Sequence, residues 1–338
     1  MTQTTRRRVL VWLMAAAAAA AAAVAGSGWP RAAAPSAPSQ TTTSPESSRS
    51  LPSSSTSSTP SSPSPSSSSS SLQLEDDRGR IVRLPASPTR IVSLAPHATE
   101  LLFASGAGHK VVAVDRDSDY PPAVRSLPRV AAYPQPDIEQ LLALAPDLVV
   151  IWGPGAPRAL VARLEQLGLA VFVSEPRTLD DVGATLARFA RLSDDSATAL
   201  GAAQAFRARL AQIRARYAQR PAVRVFVQIW TSPLIGIGEH EVIADAVRSC
   251  GARSVLSDAA IAAPRVDPEA VIAARPAMVL ATDGERGERF WRERGLLAPS
   301  GPARFAAFDA STMERPGPRV LDALEQMCAA IDAARAPS

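Results

Sequence analysis

The chain has 338 residues, 46% apolar and 5% aromatic, and a net charge of +4 from 36 basic and 32 acidic side chains. Its length suits one large or two modest domains after any leader. Beyond the leader, Arg and Asp/Glu are interspersed with no basic stripe, which argues against nucleic acid as a partner.

From the N-terminus, Arg6–Arg8 form a positive segment, Val9–Val24 is apolar and mostly alanine, and Ala23-Val24-Ala25 offers a small-residue cleavage site. This pattern predicts an export signal over residues 1–26, by the Sec or twin-arginine route, or an N-terminal anchor if it is uncleaved. With no cysteine near the cleavage region, a lipoprotein is not expected, and the destination is a periplasm. Residues 27–71 are dominated by Ser, Thr, Pro and Ala. Such a stretch has too little apolar surface to offset the entropy of ordering, so it reads as a disordered tether.

The remainder reads as an N-terminal α/β lobe over 72–192, a connecting helix over 193–220 and a C-terminal α/β lobe over 221–338. Gly79–Leu84 is a hairpin arm, Arg90–Leu94 a buried strand, and Thr99–Leu102 opens a helix that stops at Gly106. A strand at Lys110–Val114 and a proline-braced turn at Ser118–Pro122 follow. Asp137–Val150 (DIEQLLALAPDLVV) then recurs 130 residues on as Asp267–Leu280 (DPEAVIAARPAMVL). In each copy the aspartate is placed as an N-cap and Pro146 or Pro276 ends the helix. The apolar runs after the prolines read as buried parallel strands. Two copies of a helix–Pro–strand phrase predict two similar lobes with a cleft between them.

Phe206, Leu210, Ile213 and Tyr217, spaced by 4, 3 and 4, share one face of the longest helical stretch, which predicts a stiff connector with little hinge opening. Cys250 and Cys328, the two cysteines of the chain, read most simply as one disulfide in an exported protein.

Ligands of α/β lobes bind beyond the carboxyl ends of the strands. The loops there hold Pro96, His97, Tyr120, Tyr133, Trp152 and Trp230, with Glu314-Arg315 in the second lobe. In so aromatic-poor a chain, four aromatics at strand ends suit a broad, flat, partly apolar ligand. Arg315 would supply several hydrogen bonds in a fixed geometry. The alternatives are burial of the tryptophans beneath the loops, a bond from His97 to its own helix N-terminus, and an Arg315–Glu314 ion pair. Three scattered histidines speak against zinc, and no metal or cofactor is expected. A dinucleotide-binding enzyme is disfavoured: Gly106-Ala107-Gly108 follows a helix rather than a strand, and the sole lysine, Lys110, sits in no phosphate loop. No catalytic residue is assigned. A wall-bound structural protein using the Ser/Pro stretch is the remaining class, and it would leave the cleft aromatics without a role.

Arg90–Gly106 (RIVSLAPHATELLFASG), Ser118–Pro122 (SDYPP) and Asp137–Trp152 (DIEQLLALAPDLVVIW) together resemble the substrate-binding proteins of vitamin B12 and iron-siderophore ABC importers. The resemblance covers nearly all of 75–335, both cysteine contexts included, and its vitamin B12 branch is nearest. It implies two Rossmann-like lobes bridged by one long helix. It also implies a cleft for cobalamin or a related corrinoid, with an iron siderophore or haem as the alternative, and delivery to a membrane permease and its ATPase. A monomer is expected. Three positions depart from the B12-binding pattern: Ala263 replaces a cleft tryptophan, Ser311 a ligand-bonding aspartate, and Arg158 a permease-docking glutamate, for which Glu165 is a conceivable substitute. Glu269 falls at the second docking position, where a plain solvated carboxylate is the alternative.

Overall fold

The computed structural model describes residues 71–132, 134–297 and 303–335. The expected export signal, the expected tether apart from Ser71, and Tyr133 lie outside the described residues.

Strands β1 (Leu72–Glu75) and β2 (Ile81–Leu84) pair antiparallel as a hairpin, and β2 alternates exposed and buried positions as a half-buried strand should. The first lobe continues through β3 (Ile91–Leu94), α1 (Pro96–Ala104), β4 (Val111–Asp115), β5 (Arg129–Val130), α2 (Ile138–Ala143), β6 (Leu148–Trp152), α3 (Arg158–Gln166) and β7 (Val171–Ser174). Its sheet is parallel in the order β5-β4-β3-β6-β7. Helices α4 (Leu179–Ala190) and α5 (Ser196–Tyr217) lead out of it. The second lobe runs β8 (Val223–Trp230), β9 (Ile235–Gly236), α6 (Val242–Ser249), β10 (Ala252–Ser254), α7 (Pro268–Ala273), β11 (Met278–Ala281), α8 (Glu285–Glu293), β12 (Arg304–Ala307), α9 (Ala310–Met313) and α10 (Val320–Ala333). Its parallel order is β10-β8-β11-β12, with β9 antiparallel on β8.

Both sheets are covered on both faces, which is why their strands are continuous apolar runs. Along β6, Leu148 and Val150 join one apolar cluster while Val149 and Ile151 join another. Along β8, Val225 and Val227 face one way and Phe226 the other.

The repeat occupies equivalent places, since β6 lies beside β3 in the first sheet and β11 beside β8 in the second. Asp137 caps α2 by accepting from the Gln140 amide at 3.0 Å. Its counterpart does not: Asp267 makes no side-chain cap bond, and the Ala270 amide donates to the Asp267 carbonyl instead. Nor do the prolines themselves end the helices. Both helices stop earlier, at Ala143 and Ala273, and Ala145 (φ 42°) and Arg275 (φ 46°) turn left-handed just before Pro146 and Pro276. A residue preceding proline avoids the right-handed helical region, and a left-handed residue is a common helix terminator.

Helix α5, 22 residues long, starts with Asp195 capping the Thr198 amide at 3.1 Å and buries Phe206, Leu210, Ile213 and Tyr217 as its spacing requires. Gly183 of α4 lets it approach closely, as a Cβ there would meet Phe206 Cδ1 at 3.3 Å. The apolar cluster that holds these side chains includes Leu101 and Phe189 of the first lobe and Val225, Ile243 and Met327 of the second. Arg214 of α5 pairs with Asp180 of α4 at 2.8 Å and Asp245 of α6 at 3.0 Å, while Arg209 pairs with Asp322 and Glu325 of α10, each at 2.8 Å. Lys110 is buried against the Leu192 carbonyl (2.7 Å) and paired with Asp194 (2.6 Å).

Cys250, at the end of α6, is bonded to Cys328 of α10 across a sequence separation of 78. Replacing both cysteines by alanine should cost about 2–4 kcal/mol of stability, the usual worth of a bond closing a long loop. Denaturant titration checks this, and a variant matching the parent would count against it.

Candidate functional site

The ends of β6 and β7 face the loops and helix starts of the second lobe around a cavity of about 80 Å³. From the first lobe come Trp152, Pro154, Glu175 and Arg177; from the second, Ile237, Glu241, Ala263 and Glu314 are among the lining residues. The position matches the rule that α/β proteins bind ligands beyond the carboxyl ends of their strands. The volume is far below the several hundred Å³ of an ordinary small-molecule pocket.

Trp152 is the last residue of β6, and the loop after it is held by the Arg78 guanidinium, which donates to the Gly153 carbonyl (2.6 Å) and the Ala156 carbonyl (2.8 Å). Gly153 has no Cβ where Glu175 folds over it; a methyl there would lie 2.0 Å from Glu175 Oε2. The Glu175 amide donates to Asp77 at 2.5 Å, and its carboxylate pairs with Arg177. On the other lip the 259–264 loop is tied to β9 and the residues after it by Gly236 and Gly238 amides, which donate to the Pro264 and Ala262 carbonyls. That loop brings Ala262 and Ala263 into the lining and leaves Ile261 53% exposed.

Of the candidates named from the sequence, Trp152 lines this cavity, whereas Pro96, His97, Tyr120, Trp230 and Arg315 are not among its lining residues. Pro96 starts α1, and His97 beside it is buried, with Nε2 at 3.0 Å from Ser174 Oγ rather than on its own helix N-terminus. Burial, reinforced by the Arg315 cation, pushes the His97 imidazole down to about 3 and keeps it neutral. Trp230 is half-buried, its Nε1 donating to the Ser232 carbonyl at 2.6 Å. Tyr120 is 42% exposed under the Arg319 guanidinium, whose centre lies 4.1 Å from the ring centroid.

Arg315 turns away from Glu314 and crosses between the lobes. It donates to Asp119 at 2.5 Å and to the Asp117 carbonyl at 3.3 Å, and lies 3.5 Å from the Glu100 carboxylate. Arg319 donates to both Glu100 oxygens, at 2.9 and 2.5 Å. Glu100, on α1 with a side chain 2% exposed, is therefore neutralised by two arginines of the opposite lobe. No local pattern marks such a latch, although both arginines precede the start of α10 and Glu100 follows the strand-end loop.

The cavity carboxylates are also unusual. Burial pushes Glu241 up to about 7, with Arg177 opposing and Glu175 adding to the rise. Burial likewise pushes Glu314 up to about 7, countered by a Thr282 hydrogen bond and reinforced by Asp283. Beneath Glu314, Asp283 accepts from Gln228 Nε2 at 3.1 Å and from Thr231 Oγ1, and Trp291 Nε1 donates to Gln228 Oε1 at 2.5 Å. Sequence reading placed Glu314 in the cleft loops but missed Glu175, Arg177 and Glu241 as lining residues. The one available signal was position, since Glu175 directly follows β7.

Two outcomes follow from these groups. Arg319→Ala leaves a buried carboxylate short of a partner and should cost about 3–5 kcal/mol in denaturant titration, a figure a freely solvated pair would not approach. Burial holds Glu241 at about 7 in the folded chain against an ordinary value of 4.5, so its penalty is absent below pH 4.5 and grows as pH rises to 7. Thermal melts of Glu241→Gln should coincide with the parent at low pH and exceed it at pH 8; parallel curves would refute the assignment.

Residues 91–295 match the family described as periplasmic binding protein. The vitamin B12-binding protein of Vibrio vulnificus (strain CMCP6) is 35% identical over 250 residues, covering 73% of this chain and 92% of the relative. Among solved structures, the periplasmic vitamin B12-binding protein of Vibrio cholerae superposes with a TM-score of 0.68 at 32% identity, over 74% of this chain and 99% of that one. The periplasmic haem-binding protein of Roseiflexus sp. RS-1 gives 0.63 at 27% identity, over 73% and 99%. The two-lobed α/β architecture, the cavity at the strand ends and these similarities converge: the chain belongs to the periplasmic binding protein family.

Proposed function

We propose that this protein is the receptor of an ABC importer that captures cobalamin or a related corrinoid between its lobes and delivers it to a permease and its ATPase in the inner membrane. The observation that carries this reading is the likeness to vitamin B12-binding proteins along nearly their whole length, with Trp152 placed on the cavity wall. An aromatic face beside an apolar lip of Ile237, Ala262, Ala263 and Met313 suits the flat side of a corrinoid. Ala263 leaves room where the resemblance leads one to expect a tryptophan. Loading a ligand of this size requires the lips to part, and the 259–264 loop is the segment at the mouth. Pro96, His97, Tyr120, Trp230 and Arg315 serve the site from its margin in this reading, Arg315 by holding the lobes together.

Export by the signal at 1–26, a periplasmic location behind the 27–71 tether, a monomeric state and binding without catalysis belong to the same proposal. So do the lobe limits 72–192 and 221–338 on either side of the 193–220 connector. Glu269, exposed in the first turn of α7, is assigned to permease docking, and the exposed Arg158 marks the other lobe with the opposite charge.

The second reading, haem or an iron siderophore, is favoured by the likeness to the Roseiflexus haem-binding protein. Absorbance titration with cyanocobalamin, haem and a ferric siderophore separates the two. Saturable corrinoid binding at or below micromolar concentration supports the proposal; tight binding of haem or a siderophore in its place overturns it. Trp152→Ala should weaken the corrinoid by about tenfold or more, as expected for a buried aromatic anchor.

A further inference from the structure

Resting on the corrinoid reading, we infer that the cavity selects ligands whose fringe is made of amides rather than carboxylates, through Glu175, Glu241 and Glu314, which line it from both lobes. The charge balance of the lining is the first argument. Three glutamates stand there against one cation, Arg177, which is itself paired with Glu175 and 60% exposed. The neighbouring arginine, Arg315, is committed to Glu100 and Asp119 across the lobes. The groups that face Glu241 are Arg177 and Glu175 of the opposite lobe. Those that face Glu314 are Thr282, Asp283, Asp309 and Arg315. A ligand carboxylate placed here would stand beside the half-buried Glu241 and Glu314 and be repelled by them once they ionise.

Hydrogen-bond chemistry is the second argument. A primary amide carries both a donor and an acceptor, so it matches an ionised glutamate through its N–H and a protonated one through its carbonyl. An ionised carboxylate is acceptor-only, so among the glutamates it finds a partner only in a protonated one. Glu241 and Glu314 change protonation near pH 7. Carboxylate ligands should therefore be progressively rejected as pH rises through 7, while amide ligands are held on both sides of it. Haem, with two propionates, falls in the rejected class; the acetamide and propionamide fringe of a corrinoid falls in the accepted one.

The test is calorimetry of the full chain with dicyanocobinamide, which bears the amides, and dicyanocobyrinic acid, which bears carboxylates in their place, at pH 6.0 and 8.0. Cobinamide affinity should vary by less than about threefold between the two pH values, and cobyrinic acid should bind about tenfold or more weaker at pH 8.0 than cobinamide, with the gap narrowing at pH 6.0. Glu241→Gln, a near-isosteric change, should narrow the gap at pH 8.0. Equal affinity for the two ligands at pH 8.0, or a gap that responds to neither pH nor the variant, overturns the inference and leaves the corrinoid reading standing. Failure to bind either corrinoid overturns both. The parent series alone decides the matter if the variant does not fold.

Discussion

Everything about the cleft depends on one apolar core that runs without a break from one sheet to the other. Helix α5 makes this so: Phe206, Leu210, Ile213 and Tyr217 are buried in a cluster shared by strands and helices of both lobes. Two lobes with separate cores would swing about their linker, because interfaces between independent domains are small and polar. Here relative motion would expose apolar surface at roughly 25 cal/mol per Å² and break the ion pairs of Arg214 and Arg209 as well. The cavity is the space left where this shared core ends, at the carboxyl ends of the strands.

Glu100 closes the opposite margin. A carboxylate so deeply buried is tolerable only when paired and hydrogen-bonded, and its partners Arg315 and Arg319 come from the other lobe. The consecutive residues Glu314 and Arg315 thus divide their tasks, one facing the cavity and the other bracing the lobes. The same segment sets both the charge of the site and its width.

Much of this architecture is legible in the sequence because it is periodic or local. The two Asp-x-Glu…Pro copies mark equivalent strands of two sheets, the face of α5 follows from helical spacing, and the glycine at 106 closes α1 with φ 75° instead of cradling a phosphate. Trp152 could be placed in the cleft because it ends a strand of an obvious helix–strand unit. What was not legible arises from contacts between distant segments. Arg319 meets Glu100 across 219 positions and Arg315 meets Asp119 across 196, and nothing in the neighbourhood of either arginine announces the partner. Glu241 reaches the cavity because α6 begins there, a fact of tertiary packing. The difference between Asp137 and Asp267 is subtler, since the third-residue amide goes to the side chain of the first aspartate and to the carbonyl of the second.

Lys110 carries a consequence of another kind. The side-chain amine of this lysine, the only one in the sequence, is buried beneath the Leu192 carbonyl and held by Asp194, so the positive charge on the described surface is essentially all guanidinium. Guanidinium groups stay protonated far above the range in which amines lose their charge, and they do not react with the acylating reagents that modify lysine. The folded lobes are therefore nearly inert to amine-directed labelling and crosslinking. A reagent of that kind would instead report on exposure of Lys110, and hence on opening of the packing between the start of β4 and the end of α4.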